Sequence, residues 1–162
     1  MKGFTFPNYE REHMARAIGM ALPISFKQSV EICHFIKNKT VTDAKKLLQN
    51  VREQKLAVPF KRYIRDLGHK NNKGPGRYPK NASTGFIKLI ESAEANAQFK
   101  GLNTSRLFIA HISAHKAGKA WHCGRKSRRI MKRTNVEIVV EERPENIGAK
   151  NIKTNHSGNH TK

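Results

Sequence analysis

The stretch LFIAHISAHKAGKAWHCGRKSRRIMKRTNVEIVVEE, residues 107–142, decides the fold. Its two ends, Leu107–Ala114 and Val136–Glu142, are rich in β-branched and aromatic residues, which predicts a strand at each end. The segment between them, 116–135, has few aliphatic residues. Because a structureless connection of that length is uncommon in a compact domain, we predict that the two strands continue past their sheet as a long projecting β-hairpin.

The charge pattern around this hairpin indicates a polyanionic partner. No acidic residue occurs between Glu94 and Glu137, and a second basic block from Lys55 to Lys80 is opposed only by Asp66. Over its 162 residues the chain carries 32 Lys and Arg against 12 Asp and Glu, a net charge of +20. An isolated hairpin is marginal in water and like charges repel each other. We therefore expect nucleic acid to cover this surface.

Length and composition exclude several classes of protein. The length fits one domain, and no apolar run is long enough for a helix that crosses a bilayer. Charged residues interrupt the N-terminal segment 1–20 where a signal peptide needs a continuous apolar stretch. The two cysteines, Cys33 and Cys123, cannot form a disulfide framework and fit a reducing compartment. We expect no membrane partner.

The flanking sequence predicts three helices and a further strand. Apolar residues recur at helical spacing over Ser25–Lys37, Thr40–Gln54 and Asn81–Lys100, and Ala15–Leu22 is a weaker strand candidate. The segment Leu67–Lys80 is rich in Gly, Asn and Pro, which is typical of a loop. In the second helix, Thr40 with Asp43 resembles a capping box with Asp in place of Glu. The predicted buried face of this helix consists of Ala44, Leu47, Leu48 and Val51. Together these elements predict an α+β fold, with three helices packed on a small three-stranded antiparallel sheet and the projecting hairpin.

A search for catalytic or metal-binding patterns finds none that is specific. His111 and His115 share one face of the predicted strand but are expected to lie well apart along it. No nearby Glu completes a zinc-binding helix motif. Cys33 falls on the apolar face of the first helix and is expected in the core. We predict no metal site, no cofactor and no catalytic residues.

Several short motifs identify a family when they are taken in order. They are VPFKRY (58–63), GPGRYPK (74–80), ESAEANA (91–97), KGL (100–102), AHK (114–116), GR (124–125), KRT (132–134) and VEIVVEE (136–142). Together they closely resemble the universal large-subunit ribosomal protein family, numbered twenty-two in bacteria and seventeen in eukaryotic cytosolic ribosomes. The match is to its archaeal and eukaryotic branch and covers roughly residues 12–142.

The resemblance implies a structural constituent of the large subunit of a cytoplasmic, cytosolic ribosome, and not an enzyme. Its expected partners are large-subunit ribosomal RNA, neighbouring large-subunit ribosomal proteins and the nascent polypeptide. The hairpin, about 112–135, is expected to line the nascent-peptide exit tunnel. We expect an N-terminal extension over 1–12, one α+β domain over 13–142 and a polar tail over 143–162.

The predicted rRNA-binding residues are the cations of the two basic blocks and of the first strand. They are Arg16, Lys61, Arg62, Arg65, Lys70, Lys73, Arg77, Lys80, Lys116, Lys119, Arg125, Lys126, Arg128, Arg129, Lys132 and Arg133. The predicted tip of the tunnel hairpin consists of Trp121, His122, Cys123 and Gly124. Trp121 is expected either to stack on an RNA base or to pack across the hairpin.

Two other classes of protein would show the same charge pattern. An RNA-processing enzyme with a basic substrate channel would use one of the scattered histidines, although no catalytic motif supports it. An architectural DNA-binding protein would bind phosphates equally well. The ordered motifs favour the ribosomal interpretation over both.

Overall fold

The computed structural model describes residues 4–143. In chain order the elements are β1 (Met14–Leu22), α1 (Phe26–Ile36), α2 (Val41–Arg52), β2 (Val58–Pro59), β3 (His69–Lys70), β4 (Gly74–Arg77), α3 (Lys80–Phe99), β5 (Leu107–Lys116) and β6 (Thr134–Glu142). Each helix begins and ends within two residues of its predicted bounds. No helix in this part of the chain is long and apolar enough to cross a bilayer. The predicted tail, 143–162, lies outside the described residues apart from Arg143.

The main sheet is antiparallel with strand order β1-β6-β5, so the strand nearest the C-terminus lies in the centre. Val136, Ile138 and Val140 of β6 belong to the hydrophobic core. Helices α1 and α3 pack against this sheet, and α2 packs against α3. The predicted α+β fold, with three helices on a three-stranded antiparallel sheet, is confirmed.

A second small sheet occupies the region predicted as a loop, so that prediction is wrong. Strand β4 pairs with both β2 and β3, in the order β2-β4-β3. A Cβ on Gly76 would lie only 3.2 Å from the carbonyl oxygen of Val58, so glycine allows the close approach of these strands. Strands β2 and β3 have only two residues each, and β4 consists of Gly, Pro, Gly and Arg, so none of them carries an alternating apolar pattern. This is why the sequence resembles a loop.

A bulge at Ala110 sets which residues of β5 face away from the helices. Ile109 pairs with Val140 and His111 pairs with Val139, so Ala110 is an extra residue in the ladder. The insertion reverses the alternation of side chains. Leu107, Ile109 and Ile112 therefore lie in the core. His111, Ser113 and His115 lie together on the outer face of the sheet.

The N-cap of α2 is confirmed, and its buried face is partly corrected. The hydroxyl of Thr40 accepts a hydrogen bond from the Asp43 backbone N–H at 3.0 Å. Ala44, Leu48 and Val51 are fully buried, as predicted, together with Val41. Leu47 lies at the edge of this face and is only half-buried, so its predicted place in the core is wrong. The reason is that the buried stripe of this helix is narrow. Val41, Ala44, Leu48 and Val51 follow the three- and four-residue spacing of one face, and Leu47 falls beside it.

The β5–β6 ladder continues past the main sheet as the hairpin extension, residues 117–133. The last regular pair is Lys116 with Thr134. Further out, the Ala117 N–H donates to Arg133 O at 3.3 Å, the Met131 N–H to Ala120 O at 2.7 Å and the His122 N–H to Arg129 O at 2.9 Å. The register shifts by one residue along the way, and a short 3₁₀ turn over Gly124–Lys126 closes the hairpin.

Candidate nucleic-acid interface

The predicted RNA-binding cations lie on the protein surface. All of them are exposed except Arg133, which is half-buried. Within residues 4–143, none of these side chains forms an ion pair with a carboxylate. Since exposed cations without counter-charges repel one another, the surface is electrostatically suited to a polyanion.

A buried carboxylate holds the loop that carries three of these cations. Glu31 of α1 is 1% exposed. It accepts backbone hydrogen bonds from Lys61 at 3.1 Å, Arg62 at 2.9 Å and Tyr63 at 2.7 Å. The guanidinium Nε of Arg65 donates to Lys61 O at 2.7 Å. Glu31 thus fixes the backbone from which Lys61 and Arg62 project, although nothing in the local sequence around Glu31 predicts this role.

Ring contacts join this loop to the base of the hairpin. The guanidinium of Arg62 lies 5.4 Å from the ring centre of Tyr63, which packs edge-on against Phe26 at 6.0 Å. The ammonium of Lys116 lies 5.7 Å from the Phe26 ring. The two basic blocks, separate in sequence, therefore meet at Phe26. Phe26, Arg62 and Tyr63 also line part of a cavity of about 240 Å³.

The second sheet contributes a further basic groove. Lys70 and Lys73 line it together with Lys55, in a volume of about 310 Å³. The ammonium of Lys70 lies 5.6 Å from the ring of Tyr78, which also lines the groove. The sequence singled out Lys70 and Lys73, but it gave no reason to place Lys55 and Tyr78 beside them.

The predicted tip residues divide between the turn and the arm before it. Cys123 and Gly124 lie at the turn, where Gly124 has a φ of +62°. His122 and Trp121 lie in the paired arm, with Trp121 bridged to Ile130 across the hairpin. Trp121 is 63% exposed, so most of its indole is available for a partner.

Arg16 belongs to a different site from the other predicted cations. Its guanidinium lies 4.2 Å from the ring centre of Phe4 and 4.6 Å from that of Tyr9. Both rings come from the N-terminal segment, here residues 4–13, which packs on the outer face of the main sheet. Two aromatic rings at these distances orient a guanidinium through cation–π contact.

A carboxylate on the outer face anchors the same N-terminal segment. Glu137 of β6 is 3% exposed and accepts hydrogen bonds from the Thr5 N–H at 3.1 Å and from the Thr5 hydroxyl. Ser113 Oγ donates to it at 2.8 Å, and His111 Nε2 lies 3.0 Å away. Because a carboxylate only accepts hydrogen bonds, His111 Nε2 carries the proton.

The geometry corrects the predicted separation of the two histidines. His115 Nε2 lies 3.9 Å from the same Glu137 oxygen that His111 contacts. Glu137 pairs with Ser113, midway between them, so both long side chains reach it from opposite sides along the strand. The described residues hold no group of His, Cys, Asp or Glu arranged to bind a metal ion.

Two titratable groups have strongly shifted pKa values for opposite reasons. Burial by itself raises the pKa of Glu137, but the hydrogen bonds from Thr5, Ser113 and His111 outweigh it and lower that pKa to about 2. Burial raises the pKa of the Cys33 thiol to about 12. Cys33 is therefore an unreactive core residue, as predicted.

Comparison with known proteins gives the same family as the ordered motifs. A family described as "Ribosomal protein L22p/L17e" matches residues 17–141. A "Large ribosomal subunit protein uL22" from Archaeoglobus fulgidus is 40% identical over 139 residues, covering 80% of this chain and 88% of the relative. The protein of that name from Methanoculleus marisnigri is 42% identical over 142 residues, covering 82% and 92%. That from Thermoplasma volcanium is 37% identical over 149 residues, covering 88% and 98%. The chain therefore belongs to the ribosomal protein L22p/L17e family, with archaeal proteins among its relatives.

Proposed function

We propose that this protein is a structural constituent of the large ribosomal subunit, where it binds ribosomal RNA and supports subunit assembly and translation. The observation that carries the proposal is the exposed set of Lys and Arg side chains without carboxylate partners in the described residues. Phosphates supply the missing counter-charge, and each neutralised phosphate releases bound counterions, which favours binding. Ribosomal RNA and neighbouring large-subunit proteins are the partners.

The hairpin extension is the part we assign to the exit tunnel of a cytosolic ribosome. Its residues 118–121 and 123–130 are exposed, so the extension has no core of its own. Such a ribbon is marginally stable in water and needs a surface to lie on. With RNA on its cationic side chains, the rest of the hairpin is available to face the nascent polypeptide.

The protein is structural and not an enzyme, as its family indicates. Ser113, His115 and Glu137 carry the residue types of a hydrolytic triad but not its connections. In a triad the histidine lies between the nucleophile and the acid. Here Ser113 donates directly to Glu137, so His115 Nε2 donates to Ser113 Oγ at 2.8 Å and leaves no base for the serine.

Sedimentation of a tagged full-length chain tests the proposal. At low salt the protein is expected to migrate with large subunits, and its affinity for ribosomal RNA should fall steeply as salt rises. Replacing Arg125 and Lys126 with Gln should weaken this binding, whereas replacing Lys46 and Lys88, exposed lysines of α2 and α3, should change it little. Migration away from large subunits at low salt contradicts the proposal, and equal preference for duplex DNA in a competition at fixed salt favours a DNA-binding role.

A further inference from the structure

A groove of about 410 Å³ lies between the N-terminal segment and the C-terminal end of α3. Its lining residues are Tyr9, Arg11, Arg16, Asn96, Phe99 and Lys100. Three of these carry positive charge, two are aromatic and none is acidic. Glu10 and Glu12 are neighbours of Arg11 in sequence but do not line the groove.

The end of α3 places Phe99 on the surface. Gly101, with a φ of +79°, stops the helix. The Gly101 N–H donates to Gln98 O at 2.9 Å and the Leu102 N–H to Ala97 O at 3.1 Å, which is the Schellman pattern. Leu102 turns back into the core, while Phe99 is 94% exposed. The Phe99 ring therefore has little contact with the rest of the fold, and its faces are open to a partner.

Lys100 is a fixed positive charge beside this ring. Its ammonium donates to Tyr9 Oη at 2.7 Å, to Arg11 O at 3.1 Å and to Met14 O at 2.8 Å. These bonds use all three of its protons. Lys100 thus holds the N-terminal segment in place and makes the groove positive, without being a free donor itself.

Arg16 and Arg11 supply the free donors. The Arg16 guanidinium lies over the rings of Phe4 and Tyr9, and within residues 4–143 its side-chain N–H groups donate to no hydrogen-bond acceptor. In the part of the chain that the structure describes, neither arginine pairs with a carboxylate. The side-chain amide of Asn96 donates to Arg16 O at 3.0 Å, which fixes the strand that carries Arg16. The groove is therefore held in shape before any ligand arrives.

We propose that this groove binds one unpaired nucleotide of an RNA strand, with its base stacked on Phe99 and its phosphate against Arg11 and Arg16. The proposal rests on the proposed function, because it requires RNA at this surface. An exposed aromatic face beside guanidinium donors, with no acid, matches the base and the phosphate of a nucleotide. Bases inside a duplex stack on one another and offer no free face, so the ligand is a nucleotide outside a helix.

Chemical probing of ribosomal RNA in isolated large subunits tests this site. The subunits contain a tagged full-length chain, either unchanged or with Phe99→Ala, Phe99→Tyr or Met20→Ala. In Phe99→Ala we expect one unpaired base to become roughly fivefold or more as reactive, the lower end of what losing one base–aromatic stack implies. Phe99→Tyr keeps the ring and should protect that base normally. Met20 is 67% exposed but lies outside the groove, so Met20→Ala should leave the base protected.

A photo-reactive aromatic amino acid at position 99 identifies the neighbour directly. A cross-link to ribosomal RNA supports the proposal, whereas a cross-link to a neighbouring protein, or none, overturns it. Unchanged reactivity in Phe99→Ala, from a chain that sediments with large subunits, also overturns the groove proposal and leaves the proposed function standing. A chain that never enters large subunits contradicts the proposed function itself.

Discussion

Among single residues, Glu31 has the largest expected effect on the basic loop at residues 61–65. Glu31→Ala leaves the backbone N–H groups of residues 61–63 without their acceptor. Each hydrogen bond to a charged group contributes roughly 1.5–3 kcal/mol. Part of that is regained when the freed N–H groups of the loop form hydrogen bonds with water. We therefore expect the free energy of unfolding, measured with urea, to fall by about 2–4 kcal/mol.

The matched control for this change is Glu91→Ala. Glu91 is an exposed acid on α3, so its removal should shift the free energy of unfolding by less than about 0.5 kcal/mol. Equal urea midpoints for the Glu31 and Glu91 variants would show that Glu31 does not anchor the backbone of residues 61–63.

Glu137 makes a prediction about acid stability. Its pKa in the folded protein is about 2, below the ordinary value of 4.5. A lowered pKa means that the ionised group stabilises the fold, fully above about pH 4.5, and that this contribution is lost as the pH falls toward 2. One pKa unit corresponds to about 1.4 kcal/mol. Ionised Glu137 therefore contributes on the order of 3 kcal/mol to the free energy of unfolding at neutral pH.

Unfolding measured from pH 6 to pH 2 tests the role of Glu137. Wild type should be more stable than Glu137→Gln at pH 6, and the difference should shrink as the pH approaches 2. Glu91→Gln should follow the wild-type profile, because Glu91 is exposed. A pH profile of Glu137→Gln parallel to that of wild type would show that the carboxylate does not anchor the N-terminal segment.

For the hairpin extension, the prediction concerns binding and not folding. Arg128 and Arg129 are exposed near its turn. Changing either to Ala should weaken binding to ribosomal RNA and reduce the slope of log affinity against log salt by about 0.7–0.9, the value for one phosphate contact. The melting temperature should stay unchanged, since neither side chain is buried. Lys46→Ala on α2 is the control, and an unchanged slope in both arginine variants contradicts the assignment.

The elements that could be predicted from the sequence are those whose pattern lies within a short stretch of the chain. The helices were found from apolar spacing, and α2 from the Thr40 cap as well, because both depend on residues within a few positions of one another. The second sheet escaped prediction since β4 consists largely of Gly and Pro, β2 and β3 have only two residues each, and β2 pairs with β4 across the segment that contains β3. The bulge at Ala110 is likewise set by pairing with β6 and by nothing in its own neighbourhood.

In the candidate interface, too, some residues could be predicted from the sequence and others could not. Its cations are evident from charge alone, because like charges cluster along the chain. The groups that hold them in place are not, since Glu31 and the loop it binds are about thirty residues apart. The groove around Phe99 joins residues 9–16 with residues 96–100, and only the fold brings these two segments together.

For the whole molecule, stability should depend on the core between α2 and α3. Leu48 is fully buried, so Leu48→Ala creates a cavity and should lower the free energy of unfolding by about 2–5 kcal/mol. Leu47→Ala removes a half-buried side chain and should cost about 1 kcal/mol. Urea denaturation of the two variants side by side tests the placement of the core. A larger loss of stability in Leu47→Ala than in Leu48→Ala would show that Leu47, and not Leu48, lies in the core.

The molecule as a whole combines this packed core with a charged extension that the core does not support. Beyond Lys116 and Thr134 the hairpin keeps scattered backbone hydrogen bonds, but its residues are almost all exposed. Amide exchange is slow where opening requires disruption of buried contacts, and fast where it does not. In the free protein we therefore expect fast exchange over 117–133 and slow exchange in β6 and α3.

Assembly should remove this difference. When RNA supplies counter-charge and a surface, the extension can open only by losing those contacts, so its amides should become protected. Hydrogen exchange followed by mass spectrometry, on the free chain and on the chain within large subunits, measures both states. Exchange that is as slow in the free hairpin as in the core would mean that the extension is stable by itself and does not depend on phosphate.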